Sequence, residues 1–146
     1  MITTIQFIRK AIIDRLTNAV SYNGNYVPVY NRVRSNASFP YIWVYSVSED
    51  ESDFNQTSFI TQTITRIEVV TRYSGDAGGE LAANQITSQI LNLIRTRSNG
   101  YFDLSAQGFD VFTCVCEGMD YFVDEDDDYT YYRCIMEISN KIQQNG

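Results

Sequence analysis

Histidine is missing from the chain altogether. With it go the commonest general base, the Ser-His-Asp and Cys-His pairings of nucleophilic catalysis, and the commonest transition-metal ligand. Cysteine is scarce too: three residues, an odd number, in a chain whose opening MITTIQFIRK lacks the layout of a signal peptide. Reduced thiols in a cytosolic setting are expected. No apolar run comes near the roughly 20 residues that span a bilayer, so no membrane partner is expected. The bases form no stripe, which disfavours sequence-reading of duplex nucleic acid.

Aromatic residues are abundant, with eleven Tyr and eight Phe in 146 residues. Tyr covers a large area at modest entropy cost, so this supply suggests broad contact surfaces. The length and the 44% apolar content suit one domain spanning 1–146, able to bury a core without metal or disulfides. The net charge of −7 is concentrated: Glu117 to Asp128 holds seven acids and no base, and the rest balances eleven acids with eleven bases.

Periodicity places a helix over Thr3–Val20, where Ile5, Ile8, Ile12 and Leu16 fall three or four apart. Thr3 or Thr4 is positioned to cap it, and Asn23-Gly24-Asn25 breaks it. VPVYNRV reads as a short edge strand after Pro28, and YIWVYSVS after Pro40 as the strongest strand in the chain. EDESDFNQ is a polar connection. In FITQTITRIEVVTR neither alternating face is wholly apolar, as in a sheet with one face toward water or a partner. YSGDAGG reads as a loop. A second helix follows from about Gly79 to Arg97 on a stripe of Leu81, Ile86, Ile90, Leu93 and Ile94, with Arg95 and Arg97 near its end and Ser98-Asn99-Gly100 as its stop. FDVFTCVCE and YTYYRCIMEIS, separated by acids, make a long antiparallel hairpin, and the tail KIQQNG is expected to fray. The expected class is α+β: a mainly antiparallel sheet with two amphipathic helices packed on one face, order α-β-β-β-α-β-β.

The acidic run VDEDDDY invites a metal reading. Asp124, Asp126 and Asp128 match positions one, three and five of an EF-hand loop. Tyr129 then stands where glycine is needed and Ile135 where the bidentate Glu belongs, so the motif fails. A glycosidase pair needs two carboxylates in different environments, which neighbouring acids on a turn do not have. Cys114, Cys116 and Cys134 lack a fourth zinc ligand and read as small buried apolar residues, although close strand pairing also allows a disulfide among them. YSGDAGGE has no phosphate-loop lysine and carries acids at the helix start. The aromatics Tyr30, Phe39, Tyr41, Trp43 and Tyr45 have only Arg32 and Arg34 nearby, so core and subunit packing fits them better than base stacking. No cofactor, no metal and no enzymatic activity are expected.

The order of these segments resembles a known family. VYNRVRSNASFPYIWVYSVSE, IEVVTRYSGD, AANQITSQILNLI and VDEDDDYTYYRCIMEI together resemble the tail-completion or tail-terminator family of tailed bacteriophages, with Phe39-Pro40-Tyr41 after Arg32-Val33 the most specific match. The resemblance implies a structural virion protein of the tail or neck, made in the bacterial host's cytoplasm. It would form a homo-oligomeric ring, a hexamer or else a dodecamer, that caps the tail tube and meets the head-side connector. Another neck or connector ring is the nearest alternative. Arg32, Phe39, Pro40, Tyr41 and Trp43 are then expected in framework or inter-subunit packing. Asp124, Glu125, Asp126, Asp127 and Asp128 would form a channel- or partner-facing loop that keeps passing DNA from sticking. A DNA-mimicking acidic inhibitor is disfavoured, because such charge is usually spread along a face.

Overall fold

The first isoleucine stripe folds as its spacing demands. In a computed structural model, which describes residues 2–51, 59–75, 78–95 and 102–144, helix α1 spans Ile5–Leu16. Ile8, Ile12 and Leu16 are wholly buried. Thr4 is the cap residue, but its side chain does not cap the helix. A neighbouring strand supplies that function: Glu49 Oε1 accepts the Thr4 N–H at 2.7 Å and the Thr4 hydroxyl at 2.8 Å. SYNGNY does more than stop the helix. Ser21–Tyr22 (β1) and Asn25–Tyr26 (β2) pair as a miniature hairpin. Asn23 and Gly24 turn it at φ +53° and +80°, the left-handed region that Asn and Gly tolerate best.

A six-stranded sheet follows. Val29–Tyr30 (β3) lies parallel to Tyr41–Glu51 (β4), and Pro28 precedes the short strand at the sheet's edge. Phe59–Ser74 (β5) and Tyr129–Gln144 (β8) pair antiparallel along their full 16 residues. Phe109–Val111 (β6) and Val115–Glu125 (β7) both run along the other side of β8. The sheet order is β3-β4-β5-β8-β6, with β7 also on β8, and every pairing but β3–β4 is antiparallel. Helix α2 covers Leu81–Ile94, and one 3-10 turn, Ser105–Gln107, precedes β6. The protein is α+β, with two α-helices and a mostly antiparallel sheet among the described residues.

Several boundaries differ from expectation. FDVFTCVCE is two strands, broken where Thr113 leaves the ladder. Its hydroxyl accepts the Lys141 N–H (2.8 Å) and its carbonyl accepts Asn140 Nδ2 (3.0 Å). With the miniature hairpin, this puts five strands before α2 and three after it among the described residues, where three and two were expected. Glu49, Asp50 and Glu51 belong to β4, and Tyr73 and Ser74 to β5. Residues 52–58, Asp76–Ala77, the helix stop with Arg97 and Ser98–Gly100, and the last two residues of the tail lie outside the described residues. KIQQ, expected to fray, is the end of β8. Leu81 is 67% exposed, so the buried stripe of α2 begins instead at Ala82 and Ala83.

The alternation of β5 resolves which side is the core. Thr61, Thr63, Thr65, Ile67 and Val69 are all buried, the last two in one cluster with Ile42, Met136, Ile138, Ile8, Ile12 and Leu16 of α1 and Ile86, Ile90 and Ile94 of α2. The opposite face carries Tyr41, Trp43 and Tyr45 of β4, Arg66 and Glu68 of β5, and Arg133 and Glu137 of β8.

Candidate interaction surfaces

The aromatic residues of the 31–45 stretch do converge. The Phe39–Pro40 peptide is cis. The Phe39 ring lies 5.1 Å from Tyr41 and 5.9 Å from Tyr131, which ties the loop before β4 to the distant strand β8. The Arg72 guanidinium sits 4.3 Å from the Phe39 ring centre and 4.2 Å from that of Tyr129, a cation held between two aromatic faces. Trp43 stacks on Tyr45 at 4.3 Å and donates its indole N–H to the Asn31 carbonyl (2.9 Å). Beside this cluster a cleft of about 410 Å³ opens between the miniature hairpin and Phe39, Pro40 and Arg72. Arg32 stands apart, exposed and without an ion pair among the described residues.

Below the aromatics runs an ionic lattice that the residue order alone does not reveal. Glu68 is only 5% exposed. Its Oε2 accepts the Tyr45 hydroxyl at 2.6 Å, and Arg133 approaches its Oε1 at 3.8 Å. Arg133 Nε also lies 3.0 Å from Asp124 Oδ2, close enough for an ion pair but not aligned as a hydrogen bond. Arg66 and Glu137 form a second pair, whose hydrogen bond raises the Arg66 pKa further. Burial, followed by the bond to Glu68, pushes the Tyr45 phenol up. The Tyr41 phenol rises chiefly through burial. Register between β8 and the strands on both sides of it gives Arg133 these partners.

The acidic run divides into three parts. Asp124 and Glu125 lie in β7 and are not turn residues, which shortens the loop to Asp126–Asp128. Asp126 builds the turn: Oδ1 accepts the N–H groups of Asp128 (2.9 Å) and Tyr129 (2.6 Å). Those backbone bonds, the Tyr129 one first, hold its carboxyl below the usual range. Glu125, Asp127 and Asp128 are exposed, and their side chains make no ion pair among the described residues. Among the described residues no group of three His, Cys, Asp or Glu could hold a metal ion. Cys114, Cys116 and Cys134 are free thiols, and burial raises all three.

The two lateral limits of the sheet differ in charge. On one side is β7, with no described strand beyond it. It carries Glu117, Asp120 and Glu125 and an exposed run of Tyr121 (42%), Phe122 (48%) and Val123 (53%). Three consecutive apolar residues between acids were the sequence signal for this surface, because a strand with only one buried face would alternate. On the other side the loop after β3 presents Arg32 and Arg34, both exposed. The two limits are level. Trp43, Glu68, Ile135 and Asp120 form one row across the sheet, and Asn31, which leads into the basic loop, is bonded to Trp43 and to the carbonyl of Val44. No helix is long and apolar enough among the described residues to cross a membrane.

No family model matches the chain, and no curated protein is significantly similar to it in sequence.

Proposed function

We propose that the chain is a structural virion protein of a tailed bacteriophage, a tail-terminator or tail-completion subunit that assembles head to tail into a ring, with six copies as the leading count. The observation that carries this reading is the opposite charge of the two level edges of one sheet. Identical edges suit a two-fold dimer, whereas complementary edges suit a heterologous contact that repeats around a closed ring. The segment order described above adds the family. The subunit has two layers in this reading, with both helices on one face of the sheet, an arrangement supported by their shared core with Ile42, Ile67 and Met136. The aromatic and ionic face then remains for an axial neighbour, the tail tube or the head-side connector. The acidic turn faces passing DNA and repels its backbone.

Negative-stain images and native mass of the purified protein, alone and with tail tubes, test the proposal. Rings of uniform size, or density capping one end of each tube, are expected. A monomer that stays monomeric into the millimolar range and leaves tubes uncapped excludes it.

A further inference from the structure

We infer that β7 is an acceptor edge for strand addition and that its occupant is the Arg32–Arg34 segment of a second copy of this chain, a mode of contact that rests on the ring reading above. A strand edge without a neighbour displays unpaired N–H and C=O groups and is a template for another chain. Proteins usually shield such edges by making them short or covering them. Here the edge is 11 residues long, is left open among the described residues, and carries exposed Tyr121, Phe122 and Val123.

Charge selects the occupant. On β7, Asp120, Phe122 and Asp124 share one face of the strand, and Tyr121 and Val123 the other. In Arg32-Val33-Arg34 two bases flank one apolar residue at the same two-residue period, and none of the three belongs to a helix or strand. Extended beside β7, the segment sets its arginines among Asp120, Phe122 and Asp124 and its valine against Tyr121 and Val123. Opposite charges and aromatic contacts across a strand pair are both favourable. Asp120, Arg32 and Arg34 have no ion pair among the described residues, so none has to give up an internal partner.

The experiment compares the full chain with Arg32→Glu/Arg34→Glu, with Asp120→Lys, and with all three changes combined, by sedimentation velocity at low and high salt. Hydrogen exchange of the assembled form is followed in parallel, and the thermal midpoint of each variant checks folding. Each edge variant is expected to weaken self-association about tenfold or more at low salt, and the combined variant to recover most of it. Assembly of the wild type is expected to slow amide exchange in Met119–Val123 and in residues 32–34. Unchanged assembly of the variants, or tighter assembly of Asp120→Lys because the acid guards the edge, overturns the inference and leaves the ring reading standing. A wild type that never assembles, alone or on tail tubes, removes both.

Discussion

Asp126 Oδ1 accepts the backbone N–H of Tyr129 at 2.6 Å, and with the N–H of Asp128 it closes the turn between β7 and β8. One acid of the run is therefore a structural part, and its neighbours are surface charge. Replacement of Asp126 by Ala is expected to lower stability more than Asp127→Ala or Asp128→Ala, with Asp126→Asn intermediate because its amide oxygen still accepts. Urea denaturation of the four variants tests the ranking, and equal effects at all three positions would contradict it.

The same carboxyl predicts a pH dependence. Its pKa is lowered in the folded protein by the two backbone bonds. A depressed folded value stabilises above the unfolded pKa of about 4, and that contribution disappears as pH falls through the folded value. The wild type should thus lose stability between about pH 5 and pH 2 more steeply than Asp126→Asn, in which this group cannot titrate. Matching slopes would mean that the turn does not use the carboxylate charge.

Much of this was legible beforehand, and the rest failed for physical reasons. Ile5, Ile8, Ile12 and Leu16 repeat at the helical period, so α1 was readable. In β5 the face with Thr61, Thr63 and Thr65 is the buried one, and residue polarity alone does not choose between it and the face with Ile60 and Ile64. Leu81 misled because hydrophobicity says nothing about which turn of a helix meets the sheet. The aromatics around Phe39 are visible in the sequence as an alternating series. Their ties to Tyr131 and Arg72, like the contact of Arg133 with Glu68, depend on a register set by residues about 30 to 90 positions away.

Arg133 bridges Glu68, which is nearly buried, and Asp124 at the β7 edge. Its removal leaves the Glu68 carboxylate, among the described residues, with the Tyr45 hydroxyl alone. Arg133→Ala should cost about 2 kcal/mol, and the cost should shrink when Glu68→Gln is already present. A double-mutant cycle measures that coupling; additive effects would show that the 3.8 Å approach is not an energetic contact.

The thiols should be slow to react in the native state. Burial is the leading cause that raises Cys114, Cys116 and Cys134, so less thiolate is present at neutral pH than in a free cysteine. Titration with an aromatic disulfide reagent at pH 7.5 should label Cys116, the most accessible of the three, before the other two, and all three at once in denaturant. Immediate labelling of Cys134 without denaturant would contradict its burial.

Thr65 offers a substitution in the opposite direction. Its side chain is wholly buried on the core face of β5, beside Ile138, and its hydroxyl has no hydrogen-bond partner among the described residues. Desolvating that oxygen without return costs about 1–3 kcal/mol, and valine has nearly the same shape without the oxygen. Thr65→Val is therefore expected to raise stability by about 1 kcal/mol, visible as a higher urea midpoint at unchanged slope. Valine also suits a strand between Ile64 and Arg66. A lower midpoint would mean that the hydroxyl has a bonding partner in solution, and a bridging water in the core beneath α1 would then be the place to look.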